Sequence, residues 1–138
     1  MIQNDRLFSI LDHLREAGRH LETKQSLTRT EFLQDWEQED IVERELEKAV
    51  QSCIDCGTRI IAEKGWERAE DNHEVFDILA KHGVIPAKLA QEIKELVGLR
   101  HILAHEYRHV RAEEVYRHLQ NCPPIFGAFA RAIAEQLS

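Results

Sequence analysis

Apolar side chains recur every three or four residues along almost the whole of this chain, and no stretch alternates apolar with polar residues for any useful length. A period near 3.6 buries one stripe of a helix, whereas a half-buried strand needs a period of two. The chain is therefore predicted to be all-α. Leu7, Leu11, Leu14, Gly18 and Leu21 define a first helix over about residues 5–23. Thr28 followed by Glu31 spells a capping box ahead of Phe32, Leu33, Trp36, Val42, Leu46, Val50, Cys53, Gly57 and Ile60. These predict one long helix, bent near Asp40 and stopped at Gly65. Asp71 with Glu74 opens a short helix over Val75, Phe76 and Leu79, with Gly83 past its end. Pro86 suits the first turn of the next helix, which carries Leu89, Ile93, Leu96 and Val97 into the segment GLRHILAHEYRH. Val110 to Gln120 forms another short helix, Pro123 and Pro124 are expected to break it, and Phe126, Phe129, Ile133 and Leu137 stripe a last one. A chain of 138 residues with no internal repeat and no linker-like stretch leaves room for one domain, 1–138: a helical bundle of about five to six helices with short connections.

Charge narrows what such a bundle can bind. Lys and Arg total 18 against 25 Asp and Glu, a net charge of −7, so the average surface repels phosphate and any nucleic-acid contact must be local. The opening MIQNDR lacks the apolar block of a secretory leader, no apolar run is long enough to span a bilayer, and three cysteines make an odd set. The expected compartment is the cytoplasm.

The one basic stretch runs from Arg100 to His118. It holds four arginines against three glutamates and four of the chain's eight histidines. With Ile93 at the centre of the apolar face and about 100° per residue, Arg100 falls within about 20° of the centre, where a leucine would be expected. A guanidinium buried without a partner is costly, so Arg100 either snorkels, pairs with a carboxylate or has a function. Asp55 is the counter-ion if it faces Arg100. If the helix continues, Tyr107 lies on the same stripe, and His101, His105 and Arg108 form an adjoining row. Read from the residues alone, Tyr107 is more simply a core aromatic with its hydroxyl bonded at the rim.

Imidazole moves protons near neutral pH, and arginine holds a phosphate that gains charge in the transition state. Together they suit RNA cleavage in which the 2′-hydroxyl attacks the neighbouring phosphorus and no metal or other cofactor is needed. One histidine and one arginine make a sparse site, which a homodimer with two copies at its interface would complete. A rival motif overlaps: His105-Glu106-Tyr107-Arg108-His109 satisfies His-Glu-x-x-His, with Glu113, Glu114 or His118 as a third zinc ligand, but Val110 and Arg111 read as a chain reversal that leaves too little helix. Cys53 and Cys56 form a C-x-x-C within a helical stripe beside Gly57, better suited to close packing than to redox or zinc chemistry. Trp36 and Trp66, near helix ends, read as packing anchors.

The string Arg100, four residues, His105, one residue, Tyr107 matches the Arg-x4-His-x-Tyr motif of the HEPN superfamily and resembles the HepT toxins in particular. The similarity extends over EFLQDWEQEDIVERELEKAVQSCIDCGTRIIAEKG, VFDILAKHGVIPAKLAQEIKELVGLRHILAHEY and VYRHL. In such proteins the residue after the motif arginine is polar, often asparagine; here it is His101. The resemblance implies a metal-independent endoribonuclease toxin, homodimeric, with Arg100 and His105 catalytic and His101 and Arg108 supporting the RNA phosphate. It further implies a partner minimal nucleotidyltransferase (MNT) antitoxin that silences the toxin by transferring AMP to Tyr107. The alternative from a different class is a nuclease-inactive helical module that binds a nucleotidyltransferase or a nucleotide.

Overall fold

Most helices begin where a short polar side chain can satisfy the first free peptide N–H groups. In the computed structural model, which describes residues 4–137, Asn4 accepts from the Leu7 N–H and opens α1 (Asp5–Lys24). Thr28 and Glu31 form the expected capping box at α2 (Arg29–Gln34). Asp35 accepts from the Glu37 and Gln38 N–H groups at α3 (Trp36–Lys64), and Asp71 from the Glu74 N–H at α4 (Asn72–Lys81). Pro86 precedes α5 (Ala87–His105), and α6 runs from Arg108 to Ala134. Gly65 at φ 67° and Gly83 at φ 77° take the left-handed conformation past α3 and α4, where a side chain would be strained. The bend expected near Asp40 is instead a break at Asp35. Its extended backbone (φ −122°, ψ 91°) closes α2 through its N–H while its carboxylate opens α3.

The described residues form an all-α bundle of six helices around one core. α1 runs antiparallel to α3: Asn4 Nδ2 donates to Glu63 Oε1 at 2.8 Å at one end, and His20 Nδ1 lies 3.3 Å from Glu45 at the other. α4 pairs with α5, and α6 packs against α1, α3 and α5. Phe32, Phe76, Phe126 and Phe129 are fully buried, with Phe76 and Phe129 edge to face at 5.8 Å. Gly57 lets α4 approach α3, because a Cβ there would sit 2.5 Å from Val75 Cγ1. All three cysteines are buried; burial pushes the Cys56 and Cys122 thiols up to about 12 and Cys53 well above its ordinary value. They serve as small apolar fillers, as expected for the C-x-x-C. No helix among the described residues is long and apolar enough to cross a membrane.

Pro123 and Pro124 do not break the last helix. A proline removes the N–H that would bond the carbonyl four residues back, here Leu119 and Gln120. Gln25, just past the end of α1, donates its Nε2 to both of those carbonyls, at 3.3 and 3.2 Å, and Gln120 Nε2 returns a bond to the Gln25 carbonyl at 3.2 Å. One side-chain amide thus replaces both missing donors, and the two short helices expected from the sequence are a single α6. Gln25→Ala is expected to cost about 1–2 kcal/mol and lower Tm by about 3–6 °C. An unchanged melting temperature by calorimetry would contradict this account of α6.

Candidate active site at the turn between α5 and α6

The motif residues lie where α5 reverses into α6. His105 is the last helical residue, Glu106 and Tyr107 are extended (ψ 152° and 154°), and Arg108 starts α6. The helix therefore does not carry Tyr107 along the stripe of Arg100, and the reversal falls at Glu106 and Tyr107 rather than at Val110 and Arg111. Arg111 explains why. Its Nε lies 3.6 Å from Glu39 and 3.0 Å from Glu43 on α3, while its Nη1 donates to the Leu103 carbonyl at 3.5 Å, one of the free carbonyls at the end of α5. Arg108 places its Nε 3.2 Å from the same Glu39, a carboxylate only 1% exposed. These pairs hold by charge proximity more than by aligned hydrogen bonds, since both Glu39 oxygens and Arg111 Nε lack one of good geometry.

His105 and His109 consequently belong to different helices, so the pair of imidazoles one helical turn apart that a zincin requires is not formed. Among the described residues no cluster of three or more His, Cys, Asp or Glu side chains is set to hold a metal. His118 is buried further along α6, where desolvation and the neighbouring Arg117 hold its pKa below the ordinary value.

Arg100 is half-buried. Its Nη2 donates to Gln51 Oε1 at 2.7 Å, and Gln51 Nε2 donates to Asp55 Oδ1 at 2.8 Å. Asp55 thus reaches the arginine only through an intervening amide. The His101 and His105 rings meet at 4.4 Å and 45°, both on the exposed side of α5. Tyr107 is 88% exposed, which overturns its reading as a core aromatic. Trp36, at 58%, is no packing anchor either, whereas Trp66 stacks on His82 at 3.9 Å as an anchor should. Arg100, His101 and His105 therefore lie on the last turns of α5 and Tyr107 at the turn that follows, while Arg108 at the start of α6 is engaged by Glu39.

Sequence reasoning missed Glu39, Glu43 and Gln51. A signal existed for Glu39, which lies three residues before Val42 and seven before Leu46, on the apolar stripe of α3, the same anomaly that singles out Arg100. Gln51 carried none, being a polar residue on an exposed face.

Fold and site together define a helical domain that presents a histidine- and arginine-bearing helix end beside a free tyrosine. The chain matches the family described as Ribonuclease HepT-like over residues 10–133, and it belongs to that family. The tRNA nuclease HepT of Aphanizomenon flos-aquae is 30% identical over 97 residues, covering 70% of this chain and 66% of that protein. The mRNA nuclease HepT of Shewanella oneidensis is 27% identical over 92 residues, covering 67% and 69%. The matched stretch thus spans about two thirds of each relative's length. In three dimensions the chain shares the fold of the tri-AMPylated Shewanella oneidensis HEPN toxin solved in complex with MNT antitoxin, with a TM-score of 0.86, 22% identity, and 96% of this chain and 99% of that one covered.

The acidic cluster under the turn has a consequence for stability. Burial, reinforced by Glu39, Asp40 and Glu47, outweighs Arg111 and raises the Glu43 carboxyl to about 7. A carboxyl whose folded pKa lies above its unfolded value of 4.5 stabilises the fold at low pH and loses that contribution as pH rises toward 7. Glu43→Gln is therefore expected to lose less stability than the parent between pH 5 and pH 8. Parallel Tm profiles for the two proteins would show that Glu43 does not titrate in this way.

Proposed function

We propose that this protein is a metal-independent endoribonuclease toxin in which Arg100 and His105 carry the chemistry. The observation that carries the reading is the placement of Arg100 and His105 on the last turns of α5, followed directly by an almost fully exposed Tyr107. Attack of the RNA 2′-hydroxyl on phosphorus needs a group to take its proton, a group to protonate the leaving 5′-oxygen, and positive charge on the non-bridging oxygens. The His105 imidazole suits the proton transfers and the Arg100 guanidinium the phosphate. His101, in ring contact with His105, supports that imidazole. Arg108, half out in solvent on Glu39, is the further supporting residue, with its charge largely offset by that carboxylate. One histidine per chain is sparse for two proton transfers, so we take the active form to be a two-fold homodimer with two motifs at its interface. The nuclease names of both relatives support this reaction class.

Control belongs to Tyr107. Its hydroxyl stands in solvent at the turn, open to a modifying enzyme. The AMPylated, antitoxin-bound state of the relative with the same fold supports a partner MNT that transfers AMP to it. A phosphodiester on this oxygen would bring negative charge toward Arg100 and His105 and a bulky base into the path of RNA.

Arg100→Ala and His105→Ala are each expected to lower kcat/KM for RNA at least about a hundredfold with helicity unchanged, because neither group is part of the buried core. Cleavage should survive EDTA; activity lost to EDTA and restored by zinc would overturn the mechanism. Tyr107→Phe co-expressed with the antitoxin should gain no AMP by intact-mass spectrometry and remain toxic, while the parent gains one or more AMP units. A neutralised but unmodified parent would mean inhibition by binding alone.

A further inference from the structure

A guanidinium only donates hydrogen bonds and a carboxylate only accepts them, and Gln51 stands between one of each. Its Oε1 takes a bond from Arg100 Nη2 and its Nε2 gives one to Asp55 Oδ1. Reversing the amide would aim its NH2 at the guanidinium and its oxygen at the carboxylate, so the two neighbours enforce the same orientation. Gln51 and Asp55 are one helical turn apart on α3, whereas Arg100 belongs to α5, and the chain of bonds therefore ties the site to a second helix. Four other arginines are held by carboxylates: Arg29 and Arg117 pair with Glu113 and Glu114, and Arg108 and Arg111 with Glu39. Arg100 reaches a neutral amide.

We propose that Gln51, and Asp55 acting through it, are positioning residues that fix the direction of the Arg100 guanidinium without neutralising its charge. The proposal rests on the reading of Arg100 as the group that holds the RNA phosphate. A carboxylate placed directly on the guanidinium would offset its charge and occupy an edge that phosphate needs for a bidentate contact. The amide instead takes a single donor and adds no net charge. Asp55, one residue further out, polarises the amide and locks its rotamer from a position where its own charge is separated from the phosphate by the length of a glutamine amide. Fixing the arginine before substrate arrives removes an ordering cost from the transition state, which appears in kcat rather than in binding.

Gln51→Met keeps the length and removes both bonds, and it is expected to lower kcat about ten- to a hundredfold with little change in KM. Gln51→Glu puts a carboxylate on Arg100 and should raise KM as well. Asp55→Ala should lower kcat less, and its effect should vanish in a Gln51→Met background, because Asp55 acts through the amide. Nitrogen-15 NMR of the Arg100 guanidinium, assigned by its disappearance in Arg100→Ala, gives a readout independent of cleavage: slowed rotation with resolved Nη signals in the parent, averaged signals in Gln51→Met. Parental kcat together with unchanged Nη signals in Gln51→Met overturns the relay and leaves the nuclease reading standing. Parental cleavage by Arg100→Ala overturns the catalytic role of Arg100, and with it the purpose of the relay, while the NMR comparison still decides whether Gln51 orders the guanidinium.

Discussion

Glu39 is a buried carboxylate in the first turn of α3, and two guanidiniums from the first turn of α6 converge on it. A buried ion pair contributes little net stability when compared with apolar residues of the same volume, but removing one partner leaves an uncompensated charge and costs about 3–5 kcal/mol. Such a cluster therefore specifies an arrangement more than it strengthens one. Here the specified arrangement is the angle at which α6 leaves α5. Arg111 reaches α3 through Glu39 and Glu43 and α5 through the Leu103 carbonyl, so three helices are referenced to one side chain. The sharp turn at Glu106 and Tyr107, and everything exposed on it, follows from that reference.

The same clamp divides the labour among the arginines of the basic stretch. Arg108 and Arg111 are spent on acidic partners in the fold, and Arg117 sits with Glu114 on the flank of α6. Arg100 alone of these four is met by a neutral amide. In a chain of net charge −7, that allocation is what favours Arg100 as the proposed phosphate holder, because a guanidinium already matched by a carboxylate has little field left to offer. Tyr107 at the turn is the nearest exposed hydroxyl along the chain to His105, which is why the proposed control is assigned to it.

Helical class, the capping box at Thr28, the cap at Asp71, the glycine stops and the packing role of the cysteines were all legible in the sequence, because each depends on residues close in the chain or on the period of one stripe. The continuity of α6 was not. Two adjacent prolines break an isolated helix, and what rescues this one is the Gln25 amide, more than ninety residues away in sequence and near only after α1 packs on α6. Arg100 and His105 could be picked out by an anomaly in the stripe and by their resemblance to a family motif. Gln51, the partner of Arg100, could not, since a polar residue on a polar face breaks no local rule. Tyr107 was misplaced by assuming that α5 continues, an assumption overridden by tertiary contacts of Arg111 that helical periodicity does not encode.

The proposed cleavage would leave a mark on the RNA ends. Attack by the 2′-hydroxyl forms the bond from that oxygen to phosphorus as the bond to the 5′-oxygen breaks, giving a 2′,3′-cyclic phosphate on one fragment and a 5′-hydroxyl on the other. End-group mapping of an RNA cut by the purified protein in EDTA, by mass spectrometry and by kinase labelling of the fragments, reads this directly. Cyclic-phosphate ends and fragments that accept label without prior phosphatase treatment are the expected result. Fragments carrying a 5′-phosphate and a 3′-hydroxyl would place an activated water at phosphorus and contradict a mechanism built on Arg100 and His105.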